Sequence, residues 1–498
     1  MNTNQINLTK GKVTSSMMRF AMPMILGNLL QQFYNIADTW VVGRFVGSDA
    51  LASVGSAYTL MTFVTSILIG MCMGCGALFS FYYGADDMER FGASIQTSFV
   101  LVGGFSVVLC ILVMSGMNGI LDFLNIPDEL LVQMYHYVQI VMPGMVFIFL
   151  YNFYAYVLRS VGNSKVPLYF LAASSLLNVG LDILFVVGFH WSLEGAGIAT
   201  LISQIIAGIG LMIYAWNLDE QFRIRPSAWS QIDKSYRSII KYSVSSSLQQ
   251  SVMNFGILLV QGMVNSFGTA AMAAFAAAVK IDTFAYMPAQ EYANAYSIFV
   301  SQNFGAGRKA EDSKNCESRE NCGNVEDCEN HENARNRKNV KNSKNAADAE
   351  SRKNYDIRIK KGTKSACTIS LSFCALVSIV VFIFAKYLLY IFIDPSETEI
   401  VSIGIDYLHV EGAFYIGIGL LFLWYAYFRG INRPGMSLVL TIISLGTRVL
   451  IAFISTNVPA LGLNGIWWAV PIGWFLADVV GFIVYVGSDR RVRSRSLL

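Results

Sequence analysis

Apolar stretches of more than 18 residues, the length a helix needs to cross roughly 30 Å of hydrocarbon, recur about a dozen times along the 498-residue chain. Only short polar breaks separate them. In lipid every backbone amide needs an internal partner, which a helix supplies and an open sheet edge does not. No ten-residue alternation of the kind a barrel strand requires is present. The chain therefore reads as an all-α integral membrane protein. Its twelve transmembrane helices lie near 20–46, 54–80, 93–116, 134–158, 166–188, 195–216, 238–265, 272–300, 363–388, 403–428, 437–456 and 464–486. With 54% hydrophobic and 14% charged residues, the composition excludes a soluble enzyme, a nucleic-acid binder and a disulfide-stapled secreted domain.

The loops sort by charge. Lys10, Lys12 and Arg19 precede the first span, Arg159 and Lys165 follow the fourth, and Arg223, Arg225, Lys234 and Arg237 follow the sixth. Arg308, Lys309, Arg358, Lys360 and Lys361 flank the eighth and ninth, Arg429 and Arg433 follow the tenth, and Arg490, Arg491, Arg493 and Arg495 close the chain. The opposite loops carry Asp122, Asp128, Glu129, Glu194, Asp394, Glu397 and Glu399. The positive-inside rule places both termini in the cytoplasm of a multi-pass protein of the cell (inner or plasma) membrane. Trp40, Trp191, Trp467 and Trp468 fall near outer ends, and Trp216 and Trp229 near inner ones, as interfacial aromatics would. No cleavable leader pattern precedes the first span, which is expected to act as its own insertion signal. Cys72 and Cys75 form a C-x-x-C inside the run GMCMGCGA, where small residues suit close helix packing better than redox or zinc chemistry.

An internal repeat divides the chain. Leu30-Gln31-Gln32 returns as Leu248-Gln249-Gln250, 218 residues on, and Gly84-Ala85 returns as Gly305-Ala306, 221 on. Later the offset grows, Arg159 matching Arg429 at 270 and Gly197 matching Gly465 at 268. The gain lies in 313–355, a polar stretch that steps nearly in sixes through Asn315, Asn321, Asp327, Asn333, Asn339 and Asn345. That period fits neither helix nor strand and predicts a disordered, dispensable cytoplasmic insertion. Cys316, Cys322, Cys328 and His331 make only a weak metal pattern within it. The expected organisation is a cytoplasmic segment 1–19, an N-lobe 20–216, a linker 217–237, a C-lobe 238–486 interrupted by the insertion, and a basic tail 487–498. Six spans per half make the two bundles a parallel repeat about the membrane normal, with a cleft between them. No Walker loop occurs, so transport through such a cleft would draw on an ion gradient.

Charges inside the spans need a reason, since a carboxylate at mid-bilayer costs roughly 2.5–3.5 kcal/mol. Asp38 in the first span and Asp182 in the fifth lie at similar depth, outward of the middle. Asn178 stands one helical turn before Asp182, on the same face. Thr200, early in the sixth span, reaches the same layer. Four hard oxygen ligands from three helices suit Na⁺, and a buried carboxyl pair suits H⁺ equally well. Hydrogen bonding that merely ties the bundle together is the alternative. Shifted by the repeat offsets, Asp38, Asp182 and Thr200 land on no acid or hydroxyl, so the layer is not duplicated. Gln31 and Asn35 extend the polar face of the first span. The second half carries Lys280, Asp282, Glu291, Glu411 and Arg448, for substrate contact or for structural pairs such as Lys280–Glu291 or Asp282–Arg448. Pro23 lacks a backbone donor and could act as a hinge.

The opening LTKGKV and the run FAMPMILGNLLQQFYNIADTWVVGRFVGSDALASVG resemble the first-helix signature of the multidrug and toxic compound extrusion (MATE) family. KIDTFAYMPAQ and YFRGINRPGMS resemble its second-half motifs, and only 313–355 falls outside the resemblance. The resemblance implies two six-helix lobes and export of organic cations or other amphipathic compounds in exchange for Na⁺ or H⁺, with no cofactor. In the branch that resembles the DNA-damage-inducible F proteins, the cation site maps onto Asp38, Asn178, Asp182 and Thr200. Other branches use acids on the seventh and tenth helices. Here the seventh has Gln249, Gln250, Asn254, Gln261 and Asn265 but no acid, which weighs against a C-lobe cation site. The expected partners are small amphipathic or cationic substrates and the bilayer, without nucleic acid, for a monomer. A lipid-linked saccharide flippase of the same superfamily is the alternative. A membrane-embedded enzyme fits less well, because the spans lack a convergent nucleophile and base.

Overall fold

A computed structural model describes residues 5–46, 48–123, 128–225, 236–320, 331–458 and 460–495, and among them only helices and connecting turns occur. The first half contains α1 (Val13–Phe45), α2 (Ser48–Gly84), α3 (Met88–Ser115), α4 (Met117–Phe123), α5 (Asp128–Val141), α6 (Gly144–Ser160), α7 (Lys165–Asp182) and α8 (Ser192–Leu218). A π-helical turn, Ile183–Gly188, continues α7. The second half contains α9 (Tyr236–Asn265), α10 (Thr269–Glu320), α11 (His331–Leu389), α12 (Thr398–Gly412), α13 (Tyr415–Gly430), α14 (Pro434–Asn457) and α15 (Gly462–Arg495).

Among the described residues, eight helices are long and apolar enough to cross a membrane. Two further spans are broken, α5–α6 by 44° and α12–α13 by 51°. The remaining long helices, α1 and α9, complete the expected twelve. They fall short in apolarity because Asn28, Gln31, Gln32, Asn35 and Asp38 interrupt one and Gln249, Gln250, Asn254 and Gln261 the other. Both broken spans were expected to be continuous. Pro143 explains the first, since it cannot donate to the preceding turn. The second, at Ala413 and Phe414, has no proline, yet it falls at the equivalent point of the repeat.

Buried side chains form two cores, one in each half, but the inner ends of α1 and α9 are exchanged between them. Met17, Phe20, Ala21 and Met24 of α1 pack into the second core, while Ile239 and Tyr242 of α9 pack into the first. Their outer ends stay at home, Val41 and Val42 in the first core and Val260 and Val264 in the second. The lobes are therefore interlocked on the side that carries the basic loops.

Glycine makes that seam possible. A Cβ on Gly84 would strike the carbonyl of Gln302, and one on its repeat partner Gly305 would strike the carbonyl of Phe81, so α2 and α10 cross at backbone contact. Gly74 likewise admits the backbone of Tyr242 from α9. Cys75 contacts Ser243 at 3.2 Å, and Cys72 and Cys75 are fully buried free thiols. The GMCMGCGA run is a packing surface, as its small residues suggested. Ser301 and Gln302 add hydrogen bonds across the seam to the carbonyls of Ala77 (2.5 Å) and Ser160 (2.6 Å).

The insertion departs from expectation. The backbone of 313–320 continues α10 and that of 331–355 belongs to α11, both helical rather than disordered. Extension from an existing helix avoids the cost of nucleation, so a polar, Lys-, Glu- and Ala-containing sequence can propagate it. Residues 321–330, the side chains of Cys316 and His331, and the linker residues Trp229 and Lys234 lie outside the described residues, as do the side chains of Asp122, Asp128 and Glu129. Among the tryptophans, Trp40, Trp191 and Trp468 are exposed at their helix ends, but Trp467 is buried and stacks on Phe275.

Candidate cation-binding site

Asp182 closes α7 where the helix loosens into its π-turn, a geometry that widens the backbone ladder and frequently marks a functional position. Phe189 N–H then donates to the Leu184 carbonyl at 2.9 Å, five residues back. The widened turn carries α7 to its outer end, and α8 returns from Ser192 so that Thr200 lies beside Asn178.

Three of the four expected ligands, Asn178, Asp182 and Thr200, are almost wholly inaccessible, and Asp38 is half-buried. The Asn178 amide sits 3.4 Å from the Thr200 hydroxyl. Turned over, its nitrogen donates to Asp182 Oδ2 at 3.1 Å and its oxygen accepts from Thr200 N–H at 3.3 Å, the orientation that satisfies both ends. The carboxyl groups of Asp38 and Asp182 face each other within hydrogen-bonding reach. One oxygen of each, Oδ1 in both cases, is buried without a partner. Two adjacent carboxylates in a low-dielectric site repel, and a proton or small cation between them removes the repulsion.

Two tyrosines join this layer and were not anticipated. Tyr34, one helical turn inward of Asp38, lies near Thr200 and close to both acids. Tyr137 of α5, 6% exposed, approaches the same carboxyls from the other side. The spacing of Tyr34 from Asp38 was visible in the sequence as a shared helical face. Nothing in the chain near Tyr137 signals its position. Of the other α1 residues, Asn35 is 3.5 Å from the Tyr58 hydroxyl and Gln31 is exposed. Pro23 is buried within α1, in the part that packs in the second lobe, between Ala21 and Met24.

The second-half charges assemble differently. Asp282 of α10, 2% exposed, accepts from the Tyr407 hydroxyl at 2.7 Å and from the Tyr415 hydroxyl on its other oxygen. Glu411 and Arg448, also buried, lie close enough for their charges to act on it. Lys280 and Glu291 do not pair. The Lys280 ammonium stands 5.7 Å over the Phe392 ring, while Glu291 accepts from Asn28 at 3.1 Å and from Asn294 at 3.2 Å. Eleven residues along one helix, about 16 Å at 1.5 Å per residue, hold those two charges too far apart.

A two-lobed, multi-pass helical bundle with buried acids between its helices is the architecture of a membrane transporter. The MatE family model matches residues 23–184, 245–313 and 354–454, and the chain belongs to this family. It is 29% identical over 305 residues to the probable multidrug resistance protein YpnP of Bacillus subtilis, covering 61% of this chain and 68% of that protein. To the probable multidrug resistance protein NorM of Thermotoga maritima it is 22% identical over 478 residues, 94% and 90% of the two chains. Among solved structures, a MATE protein in complex with MaL6 superposes with a TM-score of 0.83 at 21% identity, covering 99% of this chain and all of that one. An outward-facing multidrug resistance MATE family transporter of the MOP superfamily superposes at 0.82, also with 21% identity, covering 99% and 100%. These likenesses carry the twelve-helix, two-lobe fold.

Proposed function

We propose that the protein is a secondary active multidrug exporter that moves organic cations or amphipathic compounds outward in exchange for Na⁺ or H⁺. The observation that carries the reading is the buried, facing pair Asp38 and Asp182, each with an orphaned oxygen, set among Asn178, Thr200, Tyr34 and Tyr137. A coupling ion would be held by the two carboxyls with the Asn178 and Thr200 oxygens. Its arrival neutralises the pair and removes the repulsion that an empty site maintains.

The seam supports alternating access. The lobes meet at their basic ends through Gly74, Gly84 and Gly305, while on the outer half of α1 Phe33 and Trp40 are more than half exposed. This arrangement suits a cleft open to the outside, ready to release cargo and take up an ion. An inward-moving cation gains about 2.3 kcal/mol per charge per 100 mV, in addition to its concentration gradient. Pro23 would let α1 bend as Asp38 changes state.

Dye uptake into inside-out vesicles, with Na⁺ and pH gradients imposed separately, tests the reading and distinguishes the two ions. Uptake driven by one gradient and lost in Asp38→Asn supports it. Gradient-independent translocation of a labelled lipid-linked saccharide would replace it with flipping.

A further inference from the structure

Residues 5–12, ahead of α1, run as a bent, non-helical strap over the basic face of the molecule and touch both lobes. On the second lobe the hold is extensive. Arg358 of α11 donates through Nε and Nη2 to the Leu8 carbonyl (3.3 and 3.0 Å), through Nη2 to that of Lys10 (2.8 Å) and through Nη1 to that of Gly11 (2.7 Å). Asn303 of α10 also donates to the Leu8 carbonyl at 3.2 Å, and Thr14 meets Ser365 at 2.7 Å. Leu8 is fully buried in the second core, which also receives the inner end of α1.

On the first lobe the hold, among the described residues, is one backbone pair, Ile6 N–H to the Gly162 carbonyl at 3.0 Å. Gly162 occupies the turn between α6 and α7 with φ +87°, and a Cβ there would run into the Ile6 carbonyl. Only glycine lets the strap lie this close. The guanidinium fork is suited to gathering several carbonyls at once, whereas a lone amide–carbonyl pair is weak and quickly remade.

We infer that residues 5–12 are a cytoplasmic latch, anchored to the second lobe by Arg358 and clipped to the first at Gly162, that holds the inner seam shut and is released at Gly162 when the protein opens inward. Arg358 is a positioning residue, acting through the strap rather than on cargo or ion. The latch rests on the alternating-access reading proposed above.

Double electron–electron resonance tests it in the full-length chain, with native cysteines replaced in a background that still exports dye. One label pair, Glu89→Cys with Lys353→Cys, reports the inner face, and a second, His190→Cys with Glu397→Cys, the outer. Arg358→Ala is expected to raise the inward-open population about tenfold, with the outer pair closing correspondingly, given the strength of hydrogen bonds to a charged group. Arg358→Lys keeps the charge but not the fork and should restore little of the native distribution. Gly162→Ala, which leaves α11 intact, should shift the same way and serves if the Arg358 variants insert poorly. Variants that fold and keep native distributions, while the native chain still switches with ion or dye, would overturn the latch. A native chain with a single distribution under every ion, pH and dye condition would instead overturn alternating access, and the latch with it.

Discussion

In the first lobe Asp38 and Asp182 face each other with one oxygen apiece unpartnered and an amide, a hydroxyl and two phenols nearby. In the second, Asp282 has a tyrosine hydroxyl on each oxygen, with the charges of Glu411 and Arg448 close by. Both lobes bury acids at comparable cost, so the difference lies in what completes them. A carboxylate supplied with two donors and a neighbouring guanidinium is settled by the protein itself. A carboxyl pair left short of donors is settled by something that comes and goes. On the reading proposed above, the halves share an architecture and divide the labour, one holding the ion and the other holding its shape.

Substitutions on the two sides should separate these roles. The largest effect is expected from Asp182→Asn, with gradient-driven dye efflux falling about a hundredfold, the factor that corresponds to roughly 3 kcal/mol of lost charge stabilisation. Its thermal unfolding should be little changed or improved, because a repulsive pair has been relieved. Asp282→Asn should invert that pattern, lowering stability by about 1–3 kcal/mol, since one of the buried Tyr407 and Tyr415 hydroxyls loses its carboxylate acceptor. Efflux per folded molecule should stay within about threefold of native, the scale of a neutral hydrogen bond. If Asp282→Asn instead abolishes efflux in a stably inserted protein, the division of labour is wrong.

Tyr34→Phe sharpens the comparison from within the ion layer. It removes one hydroxyl facing Thr200 and both acids, and should weaken the apparent affinity for the coupling ion by about five- to tenfold, the value of one hydrogen bond. An ion titration of dye efflux would read this directly. The smallest effect is expected from replacing 313–350 by a short Gly/Ser linker, with expression and efflux unchanged. A clear loss there would give the insertion a role that its composition does not suggest.

Much of this was legible in the chain. The spans followed from apolar length, and the shared layer of Asp38, Asn178, Asp182 and Thr200 from depth and the four-residue spacing on α7. Repeated glycines at 84 and 305 marked a symmetric place without saying what met there. The contact of Gly84 with Gln302, and of Gly305 with Phe81, is a long-range backbone crossing that local periodicity does not encode. Tyr137 was missed for the same reason, and so was the Tyr407–Asp282–Tyr415 arrangement, which gathers three helices. Helix in the insertion was missed in the other direction: composition predicted disorder, and propagation from α10 and α11 carried helix into it.

The amino-acid order alone determined a twelve-span membrane protein, its twofold repeat and which acids share a depth, and its loop charges predict the orientation. Those properties are set by hydrocarbon thickness, by loop charge and by helical period, all of which act within a single span. Only the tertiary structure decided that α1 and α9 exchange their inner ends, that the seam closes on the basic side, and that one acid pair has an unpartnered oxygen on each member while Asp282 has a donor on both of its oxygens. These depend on which surfaces of distant helices meet. Packing of small residues and buried polar groups decides that, and hydropathy along the chain carries no record of it.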